Sequence, residues 1–379
     1  MTAVPFVDLK AQYSSIRESI NHAVMQVIDS AYFVGGPVLS QFEEEFAAFV
    51  GAKYAVGVGN GTDALTLALK ANGIARGDEV LVPANSFFAT AEAVTNAGGT
   101  PIFVDVDAKT FHMNVESAAR AITPRTRAIL PVHLYGRAID MQPFERLAAA
   151  HNLMIIEDCA QSHGAEIAGN KAGASGHLLC YSFYPGKNLG CYGDGGAIAT
   201  NDSQLNVRLR NLRDHGSSRK YEHTEIGYNS RLDSIQAAVL SVKLHSLHSW
   251  NAARRQHAAR YSAAFAGTPI LAPEIPADHR HVFHLFVVRC TRRDDLQRFL
   301  SLRGIATGIH YPVSLHLTEA YQKAGAPGRG SHPVAECLAG EILSLPMYAE
   351  LTEEQIQYII DAIHEFIRVE RPAKPACFA

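Results

Sequence analysis

Lys187 ends an apolar run, Leu178-Leu179-Cys180-Tyr181-Ser182-Phe183, stands just after Pro185 and Gly186, and is followed by the glycine-rich Gly190-Cys191-Tyr192-Gly193-Asp194-Gly195-Gly196. An amine in that setting is partly desolvated, which lowers its pKa and makes it a nucleophile able to condense with a carbonyl. A single loop lysine behind a strand is most often an ordinary surface residue, so the reading depends on its company. After a β-rich run at 54–58, Gly59-Asn60-Gly61-Thr62-Asp63 opens a helix. Exposed N–H groups at such a start, with a Thr hydroxyl, suit a phosphate, although ordinary capping uses the same residues. Asp158 stands at the end of another apolar run, with Gln161 three residues on. A carboxylate in an apolar setting needs a cation, and a protonated pyridine nitrogen would supply one; a turn or capping aspartate is the plainer reading of that residue alone. Taken together, a carbonyl-condensing lysine, a phosphate cradle and a carboxylate for a pyridine nitrogen describe a site for pyridoxal 5′-phosphate.

Those residues must be positioned by a sheet. Helical periodicity at 11–30 and 40–50 is followed by strand-like 54–58, helix 64–71, strand 79–83, helix 86–97, strand 100–104, helix 115–121, strand 126–131, helix 143–151 and strand 153–157. Such alternation predicts an α/β fold with a mostly parallel sheet covered on both faces, whose ligands sit at the carboxyl ends of the strands. Ser40 is placed to cap the second helix, with Glu43-Glu44-Glu45 in its first turns. A returning strand at 195–200, a helix at 206–213, a polar loop at 215–229 and a helix at 234–247 continuing to 261 follow. The Pro- and His-rich 269–281 marks a boundary, beyond which strand 282–290, helix 293–303 and helix 351–367 predict a smaller α+β unit.

The composition, 47% hydrophobic and 19% charged with a formal net charge of -3, is that of a soluble globular protein and gives no pull toward nucleic acid or an anionic membrane. The first residues lack a basic flank with an apolar core, and no stretch has membrane length, so a cytoplasmic location is expected. The six cysteines form no C-x-x-C pair, which predicts reduced thiols, and no histidine pattern predicts a metal site.

Gly61-Thr62-Asp63-Ala64-Leu65, Asp158-x-x-Gln161, Ser182-Phe183-x-Pro185-x-Lys187 and Gly193-Asp194-Gly195-Gly196 together resemble the DegT-type (DegT/DnrJ/StrS) nucleotide-sugar aminotransferases, over nearly the whole chain from Phe6-Val7-Asp8-Leu9 to Leu345-Pro346-Met347. The resemblance implies an aspartate-aminotransferase-like fold (fold type I) with a seven-stranded mixed sheet. It implies residues 1–30 packing with the small domain, a large cofactor domain at 31–255, a small domain at 256–379, and a homodimer with shared active sites. It makes Lys187 the lysine that carries pyridoxal 5′-phosphate and acts as acid and base, with pyridoxamine phosphate as the alternate form of the cofactor. Asp158 would pair with the pyridine nitrogen and Gln161 would touch the ring or its 3-hydroxyl. Phe88 would stack on the ring face, with Phe87 its rival. Gly61, Thr62 and Ser182 would hold the phosphate, joined by Asn229 from the neighbouring subunit. Tyr184, His310, Tyr311 and His316 would meet the sugar, although Tyr311 and His316 read equally well as packing residues. The implied reaction is transamination of a nucleotide-diphosphate ketosugar by L-glutamate, closest to members acting on dTDP-linked 3-oxo-6-deoxyhexoses. The product would be an amino sugar for surface polysaccharide (lipopolysaccharide or O-antigen) or a glycosylated metabolite. A 4-oxo sugar or an oxo-cyclitol is the alternative substrate. The dehydratases of this fold carry His where this chain has Lys187, and a cofactor-bound regulatory module is the reading from another class.

Overall fold

The computed structural model describes residues 3–173 and 178–369. The seven strands of the main sheet are β1 (Tyr54–Val58), β2 (Glu79–Pro83), β3 (Thr100–Val104), β4 (Thr126–Ile129), β5 (Met154–Asp158), β6 (Leu178–Ser182) and β7 (Gly196–Thr200), in the order β1-β7-β6-β5-β4-β2-β3. Neighbours from β3 to β6 pair in parallel, while β7 runs antiparallel between β6 and β1. The sheet is therefore mixed, as expected for the fold, and the carboxyl ends of β2, β5 and β6 lie along one edge. Strand residues such as Val80, Leu81 and Val82 are fully buried because helices cover both faces.

Helices α1 (Leu9–Ser30), α2 (Gly36–Val50), α3 (Gly61–Ala71), α4 (Phe88–Ala97), α5 (Val115–Ala121), α6 (Gln142–His151) and α7 (Ser203–Arg213) connect or flank the strands. Helix α2 begins four residues before the expected cap: Pro37 fits the first turn, and Ser40 is interior, its hydroxyl donating to Gly36 O. Glu43 accordingly sits mid-helix and buried. It accepts from Arg210, Arg213 and the Gly57 N–H, and so ties α2 to α7 and β1. The polar segment at 215–229 contains a short hairpin, Ser217–Arg219 with Glu222–His223.

Helix α8 (Ser234–Phe265) is one uninterrupted element across the expected junction at 255. Ala237, Leu240 and Leu247 pack in a cluster with β6 and β7, while Ala258, Tyr261 and Phe265 enter a second core. That second core is built on β8 (Phe286–Arg289) paired antiparallel with β9 (Ile342–Leu345), with α9 (Arg293–Ser301) and α12 (Glu353–Val369); α10 (Glu319–Lys323) and α11 (Pro333–Glu341) lie between. Val4 pairs with Ile305 and joins the second core, and α1 lies along α8. Residues 1–2 and 370–379 of the expected terminal segments, with Cys377, lie outside the described residues. Cys159, Cys180, Cys191 and Cys290 are free thiols, whereas Cys337 is disulfide-bonded, a departure from the expectation of reduced cysteines.

Candidate active site

The carboxyl edge of the sheet brings the chemically active stretches together. Asp158 ends β5 with 5% of its surface exposed, accepting from Ala160 N at 3.1 Å on Oδ1 and from Thr90 Oγ1 at 3.0 Å on Oδ2. Burial raises its pKa, against which these two donors and the charge of Lys187 act. Lys187 follows β6 in a tight turn, its N–H bonded to Tyr184 O at 2.8 Å. Desolvation pulls its pKa down to about 8, with Asp158 acting in the opposite direction. The neighbouring Asn188 donates to Asn251 Oδ1 on α8 at 2.8 Å and to Val282 O at 2.9 Å, which anchors the lysine turn to α8 and to the segment before β8.

Gln161 is held in one orientation: Oε1 accepts from Tyr135 N at 2.6 Å and Nε2 donates to Tyr311 OH at 3.3 Å. Tyr135 adopts a left-handed φ of 60° and its hydroxyl donates to His310 O. His310 Nδ1 lies 2.8 Å from Ser344 Oγ, its ring stacks on Phe6 at 5.6 Å, and burial lowers its pKa to about 4. It is therefore a neutral wall of the site.

The cradle forms where α3 meets the end of β6. Asn60 caps α3 by accepting from Asp63 N at 2.8 Å. A Cβ on Gly61 would come 2.6 Å from Ser182 Cβ, so only glycine lets the first turn of α3 approach the Ser182 hydroxyl this closely. Helix N–H groups, the Thr62 position and a Ser hydroxyl thus converge at an N-terminus of the polarity that binds phosphate.

The two aromatics of the pair are placed differently. Phe88 is half-buried against the core with its ring 5.4 Å from Tyr321, whereas Phe87 is 54% exposed and faces Tyr311 at 5.6 Å. In the pair, Phe87 is the residue beside Tyr311, which Gln161 bonds, because it caps α4 in an extended conformation while Phe88 starts the helix and packs on the core. His316 also falls outside the cluster. It is wholly buried, its Nε2 lies 3.1 Å from Glu336 Oε1, and its ring packs on His332 and Phe103, so its side chain presents no surface to a sugar. Tyr184, 60% exposed, borders the lysine turn. Asn229 lies exposed at the surface, and its neighbour Ser230 donates to Asp63 Oδ2 at 2.6 Å and accepts from Gly59 N at 3.0 Å.

Behind Asp158, His133, Glu157 and Cys159 form a buried cluster. His133 Nδ1 accepts from Ile139 N at 3.0 Å, so Nε2 carries the proton it donates to Glu157 at 2.8 Å. With both ring nitrogens committed, the cluster is a hydrogen-bonded pair beside a thiol. Sequence reasoning missed Tyr135, Thr90 and Asn188; only the four-residue Ser86–Thr90 spacing at a helix start was a visible signal.

The residues fit pyridoxal phosphate: a desolvated amine, a buried carboxylate with lone pairs to spare, an aromatic face and a glycine-dependent phosphate cradle occupy one edge. A model of the DegT/DnrJ/EryC1/StrS aminotransferase family matches residues 14–364. The chain is 48% identical over 365 residues to a dTDP-3-amino-3,4,6-trideoxy-alpha-D-glucose transaminase of Streptomyces venezuelae, covering 96% of each. It is 45% identical over 368 residues to a pleiotropic regulatory protein of Geobacillus stearothermophilus, covering 96% of this chain and 99% of the relative. Among solved structures, the S. venezuelae DesV complex with a ketimine intermediate superposes with a TM-score of 0.95 at 47% identity, over 98% of this chain and 100% of that one.

Proposed function

This chain belongs to the DegT/DnrJ/EryC1/StrS aminotransferase family, pyridoxal-phosphate-dependent enzymes of nucleotide-sugar amination, and from that premise we propose that it aminates a dTDP-linked 3-oxo-6-deoxyhexose with L-glutamate as donor. The observation that carries the reading is the desolvated Lys187 amine held in the field of Asp158 at the sheet's carboxyl edge. The Streptomyces relative, whose name specifies a 3-amino dTDP sugar, supports the ring position and the nucleotide.

When bound, pyridoxal phosphate supplies the carbonyl that takes up the amino group and the ring that accepts the electron pair left as a proton departs. Asp158 holds a proton on the ring nitrogen by charge complementarity. Lys187 Nζ, with its pKa near 8, would hold the proton removed from the donor's α-carbon and would return a proton to the sugar carbon that gains the amine. Gln161, fixed by Tyr135 and Tyr311, would orient the ring, and Phe87, beside Tyr311, would pack against it. Gly61, Thr62 and Ser182 hold the phosphate, with Asn229 contributed by the second subunit of a homodimer. Tyr184, His310 and Tyr311 line the sugar side. The regulatory name of the Geobacillus relative is no obstacle, since a module that only binds ligand has no need of a lysine whose pKa is brought down to about 8.

The test is direct. Purified protein with pyridoxal phosphate should show a visible band that L-glutamate converts, that Lys187→Ala abolishes, and that a dTDP-3-oxo-6-deoxyhexose restores with formation of an amino sugar. A band indifferent to every amino acid, or a converted enzyme that aminates only 4-oxo sugars, would remove the donor or the ring position from this reading.

A further inference from the structure

The pairing of Asp158 with a pyridine nitrogen, on which this inference rests, leaves two buried hydroxyls unexplained. Ser86 is 2% exposed and Thr90 is 1% exposed, four residues apart at the start of α4. Thr90 Oγ1 lies 3.0 Å from Asp158 Oδ2, and Ser86 Oγ lies 2.8 Å from Thr90 Oγ1. The directions follow from valence. An ionised carboxylate only accepts, so Thr90 spends its single proton on Asp158; in the second contact Thr90 can then only accept, so Ser86 is the donor. On the other carboxylate oxygen Ala160 N–H donates at 3.1 Å. Each oxygen of Asp158 thus has one donor from behind and keeps a lone pair for a cation in front.

We infer that Thr90, backed by Ser86, is a positioning residue that keeps the Asp158 carboxylate charged and aimed at the ring nitrogen of the cofactor. A hydrogen bond to a charged acceptor is worth about twice a neutral one, and a donor that is itself polarised by a second hydroxyl is stronger still. The threonine methyl packs in the same buried site whether or not the hydroxyl is present, so the two contributions of this side chain can be separated by substitution. The other titratable groups facing Asp158 are Lys187, His133, Tyr311, Cys159 and Cys180, and all of them remain when Thr90 is changed.

The experiment compares holoenzyme carrying Thr90→Val, Thr90→Ser, Ser86→Ala and Asp158→Asn, measuring the dissociation constant of pyridoxal phosphate by equilibrium dialysis and the visible spectrum of the bound cofactor from pH 6 to 10. Thr90→Val should weaken cofactor binding about tenfold to a hundredfold and shift the pH at which the spectrum changes, with kcat falling more than KM rises. Thr90→Ser should restore both, and Ser86→Ala should weaken binding about twofold to fivefold. Thr90→Val with wild-type affinity and spectrum, beside a weakened Asp158→Asn, would overturn the relay and leave the pyridine pairing standing. Wild-type affinity in Asp158→Asn would overturn the pairing itself. Should Thr90→Val fail to fold, Ser86→Ala decides: weakened binding supports the relay, and unchanged binding overturns it.

Discussion

Lys187 must shed its proton before it can condense with a carbonyl, and desolvation has brought its pKa down to about 8 against the pull of Asp158. The sign of the consequence is fixed: the amine loses its proton as pH rises through about 8, whereas an exposed lysine would hold it to about 10.4. Cofactor uptake by the apoenzyme, followed by stopped-flow absorbance, should therefore accelerate with pH around a midpoint near 8. A midpoint above 10 would mean the amine is solvated. The aromatic pair beside the site can be separated in the same way. Phe87→Ala removes a ring from the mouth of the site and should weaken cofactor binding about threefold to tenfold with little change in melting temperature. Phe88→Ala removes core packing against Tyr321 and should cost about 2–3 kcal/mol in urea unfolding with cofactor affinity nearly unchanged. The reverse pattern would return the stacking role to Phe88.

Elements convert those side chains into a site by meeting at one edge, and most of them could be read in advance because strand and helix periods alternate without interruption from β1 to β5. What could not be read was which residue of a locally sensible pattern would be claimed by a distant element. Ser40 and Glu43 satisfy a capping pattern, yet Pro37 starts α2 earlier and turns Glu43 toward Arg210, Arg213 and Gly57. His316 sits beside His310 and Tyr311 in sequence, but one short helical turn rotates it toward Glu336 on α11. Lys187, Asp158, Gln161, Gly61 and Ser182, which the fold brings to one edge, could be singled out because the chemistry proposed for them demands particular residue types. Tyr135 and Asn188 were not, since each acts through a contact made across the fold. Glu43 supplies the check at this scale. Replacing it by Gln leaves two guanidinium groups around a neutral amide in a buried position, and should cost about 3 kcal/mol in urea unfolding while activity per folded molecule is retained. A loss under about 0.5 kcal/mol would show that α2, α7 and β1 are held by apolar packing alone.

At the scale of the molecule, the role proposed for Asn229 would connect the single chain to a homodimer. It is exposed, its backbone pairs with Asp214, and the adjacent Ser230 is bound to Asp63 in the first turn of α3, so its placement is governed by the phosphate cradle of its own chain. If Asn229 reaches the phosphate of a second subunit, each active site takes Lys187 from one chain and Asn229 from the other. Lys187→Ala and Asn229→Ala homodimers should then both be impaired at cofactor concentrations that saturate only the wild type. Mixing and reassembling them makes hybrid dimers in which one site carries both defects and the other carries neither. Random pairing puts half of the dimers in that class, so activity should recover to roughly a quarter of the wild-type value. Were Asn229 to act within its own chain, every site in the hybrid would carry one defect and mixing would restore nothing. The recovery therefore distinguishes a shared site from a merely dimeric protein, a distinction that the measured mass of the assembly does not make.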